Sequence, residues 1–259
     1  MNPIITSTKP KIEQLPGGWE PKLMNVKILE TIGELPIEIE HPIEGVTLFK
    51  KVFNPITCKK LIALMQRSPN FEAVSVQGNK DHLDNRIGST RTTMWSPELA
   101  ECIWEVLAPF IPKKEVDSYT LTDWWQNNPT KYEWEPVAVS PMLRFMKYET
   151  GGQHYAHYDA GFIYPDDNYR TLQSMVIYLT TNSTGATRFI NDGQKGPVWN
   201  RNHNDWIRET EDNEVVYKSL PTEGNILLFD HRICHDVEKY LGAEGPRIII
   251  RGDIIYKAK

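Results

Sequence analysis

The sequence predicts a mainly β protein of the α+β class, a jelly-roll barrel with helices packed on its outside. Three observations carry that expectation. Two proline-started amphipathic segments lie before residue 112, seven short runs rich in β-branched and aromatic residues follow from about residue 141, and turn-forming glycines and prolines separate those runs. A chain of 259 residues, 40% of them apolar and 24% charged, is long enough to bury a large core, and barrels of this length occur as single units. The expected layout is a flexible arm over residues 1–25 and one domain over 26–259. Within that domain, helical support spans 54–112, the barrel core 141–257 and an insert 191–214.

The elements follow in order. Pro10, Pro16, Gly17, Gly18 and Pro21 leave the first residues without a regular pattern, hence the arm. Ile37, Ile39, Val46 and Leu48 mark two or three strands between Val26 and Phe53. Asn54 before Pro55 is a helix cap followed by proline at the first helical position, and Leu61, Ile62 and Met65 continue that helix until before Pro69. Ser96, Pro97 and Glu98 open a second helix, whose core stripe is Leu99, Cys102, Ile103, Val106, Leu107 and Phe110, ended by Pro112. Between the helices, residues 78–95 are polar and read as irregular. Strands are expected at Met142–Tyr148, Gln153–Tyr158, Leu172–Leu179, Thr187–Ile190, Val215–Leu220, Asn225–Phe229 and Arg247–Tyr256. Gly151-Gly152, Gly185, Glu223-Gly224 and Gly245-Pro246 are turns between them. Residues 191–214 are too long for a tight hairpin; they are a solvated loop or a lid, with Trp199 and Trp206 as residues that would pack onto a ligand.

Composition narrows the function. A formal net charge of -5 gives no polyanion-binding surface, so nucleic acid is not an expected partner. Cys58, Cys102 and Cys234 are odd in number and widely spaced, as expected of reduced thiols in the cytoplasm. No apolar run approaches a membrane span, and the first fifteen residues have no apolar core of the kind a secretion signal needs.

The chemistry concentrates between Arg144 and Gly161. Its end carries His157 and Asp159, which on an extended strand share a face, so an imidazole and a carboxylate point the same way. That is two thirds of the two-histidine, one-carboxylate face that binds non-heme Fe(II) and leaves positions open. H-x-D occurs three times, at His82–Asp84, His157–Asp159 and His203–Asp205, but only the middle copy lies in an apolar and aromatic strand context. A third ligand has to come from farther along. His235 and His231 both follow the buried-strand pattern Gly224-Asn-Ile-Leu-Leu-Phe-Asp230, and either could serve.

Here several motifs align with one family. The segment from Tyr148 to Asp159 resembles the one that ends in the iron-binding H-x-D of collagen-type prolyl 4-hydroxylases. Thr184-Gly-Ala-Thr-Arg-Phe189 resembles the strand that follows there, Gly224 through His235 resembles the strand leading to the distal histidine, and Gly245-Pro-Arg247 resembles the start of the strand holding 2-oxoglutarate. The resemblance covers residues 141–257 and echoes more weakly at Ser89–Pro112. It implies a double-stranded β-helix enzyme using Fe(II), 2-oxoglutarate and O₂, with ascorbate as a reductant.

The resemblance also implies roles. Iron would be held by His157, Asp159 and His235. Arg247 would hold the far carboxylate of 2-oxoglutarate, Tyr178 would hydrogen-bond it, and Tyr148 would line its pocket. Arg251 also qualifies as a carboxylate partner. It shares a strand face with Arg247 but stands roughly 13 Å away, so it would meet the near carboxylate, the substrate or Asp253. The expected reaction is hydroxylation of an unactivated C–H bond of an amino acid or other small molecule. Arg86, Arg91, Arg144, Trp199 and Trp206 are the candidate substrate contacts. The alternatives are a peptidyl-prolyl 4-hydroxylase, a metal enzyme independent of 2-oxoglutarate, and a jelly roll that binds without catalysis.

Overall fold

The computed structural model describes residues 37–67, 72–73, 86–117, 131–162, 164, 168–191, 209–242 and 244–259. The expected arm, the outer H-x-D pairs, Trp199, Trp206 and most of the insert lie outside the described residues.

The elements are β1 (Glu38–Ile43), β2 (Val46–Lys50), α1 (Pro55–Gln66), β3 (Glu72–Ala73), β4 (Arg86–Trp95), α2 (Pro97–Leu107), β5 (Lys114–Asp117), β6 (Lys131–Val139) and β7 (Met142–His157), followed by β8 (Tyr169–Tyr178), β9 (Thr187–Ile190), β10 (Val215–Ser219), β11 (Ile226–Asp230), β12 (His235–Val237) and β13 (Arg247–Ala258). Both helices start on the side-chain caps read from the sequence: Asn54 Oδ1 accepts from the Thr57 amide at 2.8 Å, and Ser96 Oγ from the Leu99 amide at 3.4 Å.

The strands pair antiparallel in the order β1-β2-β11-β8-β13-β7-β12-β9-β10, with β4 and β6 joining from the side. The sheet buries both faces. Leu143 and Phe145 of β7, Met175 and Ile177 of β8, and Ile248 and Ile250 of β13 pack with α1 and α2 residues such as Leu61, Leu99 and Ile103. The alternate residues Met146, Tyr148, Val176, Tyr178 and Ile249 turn the other way, to meet Phe189 and Phe229 in a second cluster. The second face is the interior of the roll, and all the candidate site residues on these strands belong to it. The jelly-roll class is therefore the one observed.

Several boundaries differ from expectation for physical reasons. Met142–Tyr148 and Gln153–Tyr158 are one strand, β7. Gly151-Gly152 bulges it instead of ending it: a Cβ on Gly152 would lie 2.9 Å from the Gly88 carbonyl, and the register with β4 shifts between Ile87 and Ser89. The polar stretch expected to be irregular is in part the ten-residue strand β4, because its β-branched threonines suit a strand with one polar-facing side. Phe110, expected in the helical core stripe, is 41% exposed, because the chain tightens to a 3-10 turn at Ala108–Phe110 and loses the 3.6-residue phase. The strands β3, β5, β6 and β12 lie outside the strands expected from the sequence. Among the described residues, no helix is long and apolar enough to cross a membrane.

Candidate metal centre and co-substrate pocket

His157 is the last residue of β7, and Asp159 follows two residues beyond it. The third member of the group comes from β12, which runs antiparallel beside β7 with His235 directly opposite His157. The ligand atoms of His157, Asp159 and His235 all lie within 4.8 Å of one another, and they form the one such group of His, Cys, Asp or Glu among the described residues. His157 Nε2 stands 3.8 Å from Asp159 Oδ1, and His235 Nε2 stands 3.4 Å from Asp159 Oδ2.

Backbone carbonyls orient both rings. His157 Nδ1–H donates to the Tyr155 carbonyl at 2.8 Å, and His235 Nδ1–H donates to the Ile233 carbonyl at 2.9 Å. A carbonyl can only accept, so each Nδ1 carries a proton, and Nε2 is the ring atom turned towards Asp159 and left to meet a metal. This is the outer hydrogen bond that metal-binding histidines use to hold a tautomer. The His231 ring is 4% exposed and turns away from the group, its Nε2 at 3.4 Å from Asp253 Oδ1.

Asp159 is held from behind. Arg251 Nη2 reaches its Oδ1 at 2.9 Å, and the Ser174 hydroxyl donates to its Oδ2. Arg251 also donates to Ser174 Oγ at 3.1 Å and lies 3.3 Å from Asp253, which in turn pairs with Arg144 at 3.0 Å. Burial alone would raise the Asp159 pKa, but Arg251, with His235 and His157, holds the carboxyl well below its usual range. The same contest holds Asp253 down through Arg251 and Arg144, and holds Arg251 protonated past its usual range. Asp159 is therefore ionised and fixed, as a ligand has to be.

Arg247 lies farther along the same face of β13 and is 0% exposed. Its guanidinium stacks 4.7 Å from the Tyr148 ring centroid and 5.8 Å from that of Tyr178. Nη2 donates weakly to Thr187 Oγ1 at 3.4 Å, while the buried Nε and Nη1 find no hydrogen-bond acceptor. The Tyr178 hydroxyl contacts Thr187 Oγ1 at 2.9 Å and Ser219 Oγ at 3.4 Å, and burial pushes its pKa up, so it remains a donor. A buried cation with unanswered donors is costly unless an anion joins it. A donor set of two imidazoles and one carboxylate suits Fe(II), and this pocket suits the far carboxylate of 2-oxoglutarate.

One cavity of about 280 Å³ joins both parts, lined by the three ligand residues, Arg247, Arg251 and Tyr148 among others. Arg91 and Arg144 line it as well. The backbone of Arg86 pairs with that of His154, but its side chain lies outside the described residues, as do Trp199 and Trp206. Sequence reasoning missed Ser174, Thr187 and His154, whose ring stacks 3.6 Å from that of His157. Ser174 was within reach, since it alternates with Val176 and Tyr178 on one face.

No protein-family model matches the chain, and no curated protein matches it in sequence. Solved structures do. A prolyl hydroxylase from Trichoplax adhaerens, in complex with a hypoxia inducible factor oxygen degradation domain peptide fragment, aligns at a TM-score of 0.51 and 14% identity, covering 81% of this chain and 83% of that one. The chain has the prolyl hydroxylase fold. A Pseudomonas putida prolyl-4-hydroxylase aligns at 0.44 with 16% identity, covering 81% of this chain and 91% of that one. HygX from Streptomyces hygroscopicus, with nickel and 2-oxoglutarate bound, aligns at 0.48 with 13% identity and 82% coverage of both chains.

Proposed function

We propose that the protein is an Fe(II)- and 2-oxoglutarate-dependent oxygenase that hydroxylates an unactivated C–H bond of an amino acid or other small molecule. The observation that carries this reading is the His157–Asp159–His235 group sharing a cavity with a fully buried Arg247 whose Nε and Nη1 have no acceptor. His157, Asp159 and His235 hold the iron. Arg247 holds the far carboxylate of 2-oxoglutarate by charge and hydrogen bond, aided by Tyr178 and Thr187. Tyr148 closes the side of that pocket, and the apolar wall of Met146, Val176 and Ile249 keeps water from it. When bound, the metal and co-substrate supply oxygen activation, so that substrate, O₂ and 2-oxoglutarate become alcohol, succinate and CO₂.

We assign residues 26–259 to one domain, which carries all of the site residues named above. The buried Cys58 and Cys234 are compatible with a reducing cytoplasm. A peptidyl-proline substrate is the second reading, drawn from the Trichoplax enzyme, whose structure holds a peptide fragment. The test is calorimetry under anaerobic conditions with Mn(II) and then 2-oxoglutarate, followed by succinate release with Fe(II) in air. Ordered uptake of metal and then co-substrate is expected. A protein that binds neither is not an oxygenase.

A further inference from the structure

The His157 ring is held at its edge by the Tyr155 carbonyl, 2.8 Å from Nδ1, and one of its faces lies against another imidazole. The ring of His154 stacks on it, with centroids 3.6 Å apart and planes inclined by 28°. His154 is buried and lines the same cavity as His157, Asp159 and His235. His235 also has a flat neighbour, Phe229, whose ring centroid stands 4.5 Å away.

A regular strand does not produce the contact between His154 and His157. Residues three apart on a strand point to opposite faces of the sheet. Here His157 is opposite His235 and His154 is opposite Val237, so β7 takes three steps where β12 takes two. The extra residue is a β-bulge, which re-aims a side chain that would otherwise face away. It brings His154 round to the cavity side and onto the face of its neighbour.

The stack supplies what the hydrogen bond lacks. One bond at Nδ1 fixes one point of the ring and leaves it free to rock about χ2, a torsion with broad wells, and rocking sweeps Nε2 sideways. A planar surface against the face removes that motion. We propose that His154 is a positioning residue, aimed by the bulge, whose ring holds His157 Nε2 towards the metal beside Asp159 and His235. The inference rests on the oxygenase reading above. Flatness does the holding, so a phenyl ring serves in place of the imidazole and a branched aliphatic chain does not.

The experiment uses the full chain and its His154→Phe and His154→Leu variants under anaerobic conditions. Mn(II) affinity is read by calorimetry, and the visible absorption of bound Co(II) reports the geometry of the ligand set. Urea midpoints of the metal-free proteins give the stability of each variant separately. His154→Leu should weaken Mn(II) by about tenfold or more, and His154→Phe should stay within about threefold of wild type, as for other groups that orient a metal-binding histidine. The Co(II) bands should shift in the Leu variant and overlay wild type in the Phe variant. Wild-type affinity and bands in both variants overturn the positioning role, and so do equal losses in the two. A loss of affinity that merely follows a fall in the urea midpoint, with unshifted Co(II) bands, overturns it as well. Wild-type protein that takes up no metal overturns the oxygenase reading and this inference with it.

Discussion

His157 and His235, 78 positions apart in the chain, are direct cross-strand partners, with ring centroids 4.3 Å apart. The pairing of β7 with β12 brings two distant histidines to one edge that could hold a metal, and Asp159 joins them from the turn after β7. His235→Ala should therefore cost metal affinity at least about 100-fold, since it removes a ligand outright, beyond the 10- to 100-fold typical of an outer-shell change. His231→Ala should leave metal affinity unchanged. Mn(II) calorimetry on the two variants checks both, and equal losses would show that the wrong histidine has been assigned.

Arg247 is the expected determinant of co-substrate affinity. Arg247→Gln should leave Mn(II) binding intact and raise the 2-oxoglutarate dissociation constant by two or more powers of ten, in line with about 3 kcal/mol or more for one fully buried charge-assisted pair. Arg247→Lys should recover only part, because the ammonium lacks the planar fork. A Gln variant that binds 2-oxoglutarate normally would move the far-carboxylate site elsewhere.

Arg251 has a different part. It bridges Asp159 and Asp253 and bonds Ser174, so removing it leaves two buried carboxylates without their main counter-charge. Arg251→Met should destabilise the fold by about 3–5 kcal/mol and weaken Mn(II) binding by about 10- to 100-fold through the loosened carboxylate. Urea unfolding of the metal-free protein separates the first effect from the second. Metal affinity equal to wild type would mean that Asp159 needs no support from behind.

How much of this could be read from the chain depends on range. His157 and Asp159 were legible because period-two alternation is local and their neighbours are apolar. The choice between His231 and His235 was not local. Both follow the same strand, and only the pairing of β12 with β7 and β9 decides which ring meets Asp159. The same holds for Arg251. Alternation places it on the face of Arg247, but its contact with Asp159 depends on how the turn after β7 folds back over β8 and β13, which no local pattern encodes. Polarity hides β4 as a strand, because its polar side faces the cavity while the other side, with Met94, faces the helices. The fold class was easier, since it needs only the count and spacing of strands.

Gly224 ties the Tyr178 end of β8, beside Arg247, to the segment that leads into the first helix. It sits at φ +84, and a Cβ there would lie 2.0 Å from the Phe53 carbonyl oxygen. Its own backbone bonds the Phe53 amide at 3.0 Å and the Tyr178 carbonyl at 2.9 Å. Gly224→Ala should cost more than about 3 kcal/mol, because it adds a backbone clash to the left-handed penalty. Gly151 at φ +85 has nothing within 4 Å of its would-be Cβ, so Gly151→Ala should cost only the conformational part, about 1–2 kcal/mol. Denaturant midpoints of the two variants give the difference directly.

The acid side of stability should be set in part by Asp230 and Lys114. They pair at 2.9 Å with side-chain exposures of 10% and 15%, and Asp230 also accepts from the Arg232 amide at 2.9 Å. Burial would raise the Asp230 pKa, but Lys114 and Arg232 outweigh it and hold the carboxyl below its usual value. Burial lowers the Lys114 pKa even against the Asp230 charge, so the ammonium depends on its partner. A carboxyl whose folded pKa lies below its unfolded one, about 3.9, adds stability that is complete above that value and disappears as pH falls through the folded pKa. Wild-type urea midpoints should accordingly drop on acidification below about pH 4. Asp230→Asn should start about 3–5 kcal/mol lower at neutral pH, with Lys114 left unanswered, and should fall less steeply across the same acid window. Parallel pH profiles for the two proteins would mean that the pair contributes nothing to the acid transition, which would then belong to Asp159 and Asp253.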